Sequence, residues 1–248
     1  MSATRRLLGF HSVREALRRD PSRVRRVLVE RGRSGQRRRE IEALCRAAGL
    51  RVDSVEESVL ARFAPGVHNG FAAEVEEAPG GPGARSGDPE FLVLAEDVQD
   101  PRNLGALLRV CEGAGVGRLL LREHGTAPLS ETTVKASAGA AEWLEVERIG
   151  SSAQALERLK KDGYWIYGLD MAGETPWSID LTGKVVFCVG GEQDGLRRLT
   201  RESCDRLIGL PMAGRVESLN LATAAAAVLF EAVRQRGGGS LSPAPASR

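Results

Sequence analysis

Three short stretches carry residue types able to do chemistry. The first is "DPRNLGALLR", residues 100–109, set after the apolar run Phe91–Ala95. Leu104, Leu107, Leu108 and Cys111 fall at helical spacing and predict a buried stripe. Asn103 stands where an N-cap belongs. Arg109 shares a face with Gly105 and Ala106, four and three residues earlier. That face pairs a long cation with a turn that has almost no side chain. Such a gap admits a bulky ligand, and a guanidinium fork suits a phosphate or a ribose–phosphate edge. The same residues also fit a simple cap, a close-packing glycine and a surface cation.

The second stretch is "VFCVGGEQDGLRRL", in which a hydrophobic strand runs into Gly190 and Gly191, then Glu192. Paired glycines let a ligand approach the backbone, and exposed amides can bind it. Neither GxGxxG nor a Walker-type GKS/T occurs, so dinucleotide and NTP sites are poorly supported. An ordinary tight strand-to-helix turn accounts for the glycines equally well. In the third stretch, "IGLPMAGRVESLNLATAAAAVLF", a strand ends near Met212, and Ser218 is placed to cap a long helix. Its run Ala222–Ala227 allows close backbone approach, within the chain or to a second copy.

These stretches need a scaffold, and the alternation of patterns supplies one. Strands are expected at 91–98, 117–123, 143–149, 164–170, 184–190 and 205–212. Helices are expected at 103–114, 130–139, 151–162 and 196–203, with a long one over 218–235. Such alternation predicts an α/β fold with a parallel sheet covered on both faces. Ligands then bind beyond the carboxyl ends of the strands, near Val98, Gly190 and Met212. A smaller α/β unit precedes it, with helices at 11–19 (Ser12 a candidate cap), 37–49 and 56–64, strands at 23–32 and 50–55, and a loop and final strand within 66–77. The expected division is residues 1–77, a Pro/Gly/Ala-rich linker at 78–89, a domain at 90–236 and a disordered tail at 237–248.

Composition is ordinary for a globular chain of 248 residues, with 42% hydrophobic and 27% charged residues. Cys45, Cys111, Cys188 and Cys204 form no CxxC pair, which suggests reduced thiols rather than a disulfide framework. The three histidines lack ligand spacing, so no metal is expected. No stretch has the length of a bilayer span, and no apolar leader opens the chain, so a cytoplasmic location is expected and no membrane partner. The net charge of +2 hides an asymmetry. Residues 1–50 hold fourteen Arg, no Lys and five acids, a net +9, and the remainder carries −7. This points to a polyanion, nucleic acid foremost, reached through the N-terminal part.

Taken in order, "DPRNLGALLRVCEGAGV", "VGGEQDGL" and "LPMAGRVESLNLATAAAAVLFEAV" resemble the three signature motifs of the SpoU/TrmH family of SPOUT methyltransferases. The resemblance covers about residues 90–236. It implies transfer of a methyl group from S-adenosylmethionine to a ribose 2′-hydroxyl of RNA. It also implies a C-terminal trefoil knot and a homodimer with cofactor sites near its interface. "LLGFHSVREAL" and "GVHNGFAAEV" look like the start and end of the ribosomal-protein-like substrate-binding domain of members acting on 23S rRNA, where a guanosine is the expected target. By position, Asn103, Arg109, Glu192, Ser218 and Asn220 would be catalytic. Gly190, Gly191, Leu210, Met212 and Leu219 would line the cofactor pocket. Arg5, Arg6, His11, Arg14, His68 and Asn69 would contact RNA.

The family assigns the base to the motif-one arginine, but a guanidinium stays protonated at neutral pH. The expectation here is that Arg109 binds phosphate and stabilises developing alkoxide charge, while the proton leaves through water or Glu192. Gly105 would keep the approach clear. Gln193 stands where the family usually has glycine, and "SLNLATA" where it has "SLNVSVA". If position 193 requires positive φ, Gln is strained there by about 1 kcal/mol or more. A tRNA or another rRNA position as target, a resistance rRNA methyltransferase, and a non-catalytic RNA-binding or ribosome-assembly factor are the competing readings.

Overall fold

The computed structural model describes residues 4–65, 68–76 and 90–237. The expected linker at 78–89 and the tail from 238 lie outside the described residues. The chain opens with β1 (Thr4–Leu8), α1 (Phe10–Arg19), β2 (Val24–Glu30), α2 (Gln36–Ala47), β3 (Val52–Val55), α3 (Glu57–Phe63) and β4 (Phe71–Glu76). Sequence patterning missed β1, because "TRRLL" alternates poorly and is a short edge strand. The sheet order is β1-β4-β2-β3, with β4 antiparallel to both neighbours and β2 parallel to β3.

Val27, Leu28 and Val29 are all buried, so β2 is covered on both faces. Leu28 packs with Leu8 and Ala72 against Leu60 and Ala64 at α3. α1 packs on β1, β2 and β4 through Phe10, Val13, Ala16 and Leu17, at helical spacing. Its cap is Gly9 at φ 89, not Ser12, which is buried in the first turn.

The second run of elements is β5 (Phe91–Ala95), α4 (Pro101–Gly113), β6 (Arg118–Arg122), α5 (Glu131–Ala136), β7 (Glu145–Ile149) and α6 (Ser152–Lys161). It ends with β8 (Trp165–Glu174), β9 (Val185–Val189), α7 (Arg198–Ser203), β10 (Arg206–Ile208) and α8 (Leu221–Arg236). The expected strand–helix alternation is present throughout. Sheet order is β10-β8-β9-β5-β6-β7, and every pairing from β10 through β6 is parallel. On one face Leu92, Leu94, Val186 and Cys188 pack with Ala155 and Leu156 of α6. β8 is longer than expected. Its register against β10 jumps from Gly168 to Glu174, which frees the chain at 169–173 to step outward. No helix among the described residues is long and apolar enough to cross a membrane.

Two compact units form. Among the described residues, one holds 4–65, 68–76, 100–109 and 127–147, and the other holds 90–99, 110–126 and 148–237. The first unit thus takes in the start of α4, all of α5 and the turn at 140–142. There β1 and α1 pack on α5, and α1 on the turn. Arg5 pairs with buried Glu142 at 2.5 Å, and Trp143 Nε1 donates to Glu15 at 2.9 Å.

Candidate active site

In the second unit the carboxyl ends of β8, β9 and β10 open onto a cavity of ≈ 610 Å³. Its volume suits a small-molecule cofactor. The turn after β9 contributes Gly190, Gly191, Glu192 and Gln193. The loop after β10 contributes Gly209, Leu210 and Met212. The approach to α8 contributes Glu217, Ser218, Leu219 and Asn220. The outward step of β8 adds Leu169, Asp170 and Met171. All eight residues expected here, from Gly190 to Asn220, line this one cavity. Leu169, Asp170, Met171 and Glu217 were missed; for the first three, a register jump in a strand leaves no mark in an apolar run.

The glycines work differently from the expectation of open backbone. A Cβ on Gly190 would strike the backbone of Gly195, and one on Gly191 would sit 2.6 Å from the Asp97 carbonyl oxygen. Both are required by the chain's own close approach. Gly191 and Gly195 exchange backbone hydrogen bonds, at 3.1 and 3.2 Å, and close the turn. Among the described non-glycine residues only Asn69, Asp97 and Ala138 have positive φ, so Gln193 is unstrained; Gly195, at φ 63, takes the left-handed position. The expected strain at 193 is therefore absent.

Two consecutive acids at the end of β5 anchor this turn from behind. Glu96 is fully buried and accepts hydrogen bonds from the Arg197 amide (2.8 Å) and Thr200 Oγ1 (2.9 Å). Asp97, at φ 57, accepts from Arg197 Nε at 2.5 Å and Arg122 Nη1 at 3.1 Å. A buried carboxylate is tolerable only when so bonded. The Gln99 amide donates to Glu192 Oε2 at 3.5 Å. The sequence signal was the pair of acids ending an apolar strand.

The caps also differ. α8 begins at Leu221, and its cap is Asn220, whose Oδ1 accepts from the Ala222 amide at 3.0 Å. Ser218 stands before the helix, exposed at the cavity. α4 begins at Pro101, and Asp100 Oδ1 accepts from the Arg102 amide at 2.8 Å. Proline favours the first helical position, which moves the cap to Asp100 and Asn103 into the first turn.

Asn103 and Arg109 lie in the first unit. Gly105 does not clear a path for substrate. A Cβ there would collide with Ala136 Cβ and come 2.7 Å from the Thr133 carbonyl, so glycine lets α4 and α5 pack directly. Arg109, one turn further, is exposed. Of the expected RNA contacts, Arg5 is held by Glu142, His68 Nδ1 accepts from the Gly70 amide at 3.1 Å, and Arg6, His11 and Asn69 are exposed. Among the described residues no group of three or more His, Cys, Asp and Glu converges as metal ligands would.

A parallel α/β sheet whose carboxyl ends hold a cavity walled by the "GGE" turn and the "SLN" loop defines a methyltransferase of the SPOUT class. Sequence comparison is specific to the family: residues 90–230 match the SpoU rRNA Methylase family and residues 6–80 match "RNA 2′-O ribose methyltransferase substrate binding". The chain belongs to the SpoU rRNA methylase family. It is 41% identical, over 93% of its length and 96% of the relative's, to the 23S rRNA (guanosine-2′-O-)-methyltransferase RlmB of Xanthomonas axonopodis pv. citri. Among solved structures it is similar to the SpoU methyltransferase AviRb of Streptomyces viridochromogenes in complex with AdoMet. That likeness has TM-score 0.77 and 25% identity and covers 95% of this chain and 92% of that one. The AdoMet-bound rRNA methyltransferase of Sinorhizobium meliloti gives TM-score 0.71 and 26% identity, covering 93% and 87%.

Proposed function

We propose that this protein transfers a methyl group from S-adenosylmethionine to the 2′-hydroxyl of a guanosine in 23S rRNA. The observation that carries the reading is the gathering of all eight expected motif-two and motif-three residues around one cavity at the strand ends. The lining fits the cofactor. Leu169, Met171, Leu210 and Met212 offer apolar surface for an aromatic base, while Asp170, Glu192 and Glu217 offer negative charge to a cation. The bound cofactor supplies a sulfonium-activated methyl group, so the protein's task is alignment and proton removal.

Gly190, Gly191, Leu210, Met212 and Leu219 hold the cofactor, largely through backbone shape. Asn103, Arg109, Ser218 and Asn220 orient the ribose. Arg109 remains a cation, binds the adjacent phosphate and stabilises charge growing on the 2′-oxygen. The proton leaves to Glu192 or to water. The pH–rate profiles of Glu192→Gln and Arg109→Lys separate these roles. The acidic limb disappears in the first and survives in the second; the reverse assigns the base to Arg109.

A homodimer belongs to the same reading. Val216, Leu219 and Phe230 are exposed large apolar side chains on and before α8, and Leu219 lines the cavity. A second copy over them would close the site. A trefoil knot belongs to the same reading, and the close approach of Gly209 to residues 170–173, where a Cβ would meet the carbonyls of Asp170, Met171 and Gly173 at 2.8–2.9 Å, fits it. A cytoplasmic location goes with the substrate. The direct test is incubation of the purified protein with 23S rRNA and methyl-labelled S-adenosylmethionine. Label should appear in an alkali-resistant dinucleotide, the mark of a blocked 2′-hydroxyl; label on a base would refute the reaction.

A further inference from the structure

In the first unit at least eight of the fourteen arginines of residues 1–50 are tied up in ion pairs, among them Arg5–Glu142, Arg18–Glu40, Arg26–Asp53 and Arg38–Glu42. Exposed pairs such as Arg26–Asp53 add little stability, but all of these pairs cancel charge that the sequence seemed to offer a polyanion. Arg6, Arg37, Arg39 and Arg46 of this segment, and Arg109 on α4, are exposed and make no ion pair among the described residues; of these, Arg37, at the start of α2, and Arg109 bear on one imidazole.

Both flank His11. The guanidinium groups of Arg14 and Arg37 each lie 5.3 Å from the centre of the Phe10 ring, and the His11 ring meets the same phenyl edge-on at 5.1 Å. One aromatic ring therefore holds two cations and an imidazole together. From the other side, Gly139 brings the chain after α5 against α1, where an added Cβ would lie 3.2 Å from the His11 carbonyl. α5 in turn packs on Gly105, one turn before Arg109 on the same face of α4. So two backbone contacts join α1, at His11 and Glu15, through α5 to the helix that carries the motif-one arginine.

We infer that His11, Arg37 and Arg109, with Arg14 behind them, form one phosphate-binding subsite, which takes an RNA backbone phosphate beside the target ribose. The inference rests on the RNA methyltransferase reading and assigns a place on the protein to the phosphate. Arg14 already serves Glu15 at 2.6 Å, so Arg37 and Arg109 supply the free charge. His11 reports on the site. Its pKa is held below the ordinary value by burial, then by Arg14 and Arg37, against Glu15, with Arg109 adding to the depression. Those four charged groups are the ones that face it, from α1, α2 and α4. A phosphate placed among them reverses the local field and favours the imidazolium. RNA binding then takes up a proton, and affinity rises as pH falls through the His11 titration.

The test is RNA binding by the whole protein to a 23S rRNA fragment, measured against salt and pH. Arg37→Ala should reduce the slope of log affinity against log salt by about one. Its side chain is exposed and makes no ion pair among the described residues, only the contact with the Phe10 ring, so this is a mild change for the fold. Arg39→Ala, two residues on and facing away, should alter the slope by much less. His11→Asn should flatten the rise in affinity between about pH 7.5 and about pH 6 that the unmodified protein shows. Equal losses in the Arg37 and Arg39 variants, or an unchanged pH profile in His11→Asn, would overturn the subsite while leaving the methyltransferase reading intact. Unmodified protein that methylates no RNA would overturn that reading, and the subsite with it.

Discussion

Around the cavity of the second unit, the decisive residues are those that lack a side chain. Gly190, Gly191 and Gly209 each stand where a Cβ would run into backbone, at 2.6 Å for Gly191 and 2.8 Å for Gly209. Around Arg109 in the first unit, the decisive residues are long cations on exposed helix surface. On the proposed reading, a cofactor of fixed shape meets fixed backbone anchored from behind by Glu96 and Asp97, and a polyanion meets charge left over after most arginines have found carboxylates. Under that proposal the two substrates of one reaction are held by different physics, and the two regions should fail differently.

The largest separation is expected from Arg109→Ala and Asn103→Ala. Each should lower kcat by about 10²–10³, as loss of one group stabilising transition-state charge does. Calorimetric binding of S-adenosylmethionine should be unchanged in both. If cofactor binding fell with activity, the division between the regions would be wrong. Gly190→Ala should do the opposite. Over-packing at a buried site costs about 1–3 kcal/mol, seen as a fall in Tm, and cofactor binding should weaken while RNA binding persists. Salt comes next. A fourfold rise should weaken RNA binding about 20- to 40-fold if three phosphates are neutralised. Cofactor binding, governed by shape, should move far less. The smallest effect is expected from Gln193→Gly. Because Gln193 has no positive φ to relieve, glycine there only adds unfolded-state freedom, costing about 0.5–1 kcal/mol. A gain in stability would show strain the geometry does not contain.

The alternation of strands and helices from Phe91 to Arg236 was legible because each buried strand is a near-continuous apolar run. The short edge strand Thr4–Leu8 was not, since "TRRLL" has neither alternation nor bulk. Motif residues could be grouped on the cavity from resemblance alone. The reasons for the glycines could not. Gly105 looked like space for substrate and is in fact the contact between α4 and α5, decided by Ala136 and Thr133, 28 to 31 residues away. The cap positions moved for local reasons: Pro101 claims the first helical position, and Asn220 rather than Ser218 reaches the free amide of Ala222. The +9 charge of residues 1–50 was read correctly from composition, yet its distribution was hidden, because pairing with carboxylates on neighbouring elements is a tertiary fact.

The most direct measurement is mapping of 2′-O-methyl marks in 23S rRNA from a deletion strain complemented with either the unmodified chain or Arg109→Ala. One guanosine should lose its mark on deletion, regain it with the unmodified chain and stay bare with Arg109→Ala. A mark that survives deletion, or returns in full with Arg109→Ala, would contradict the account.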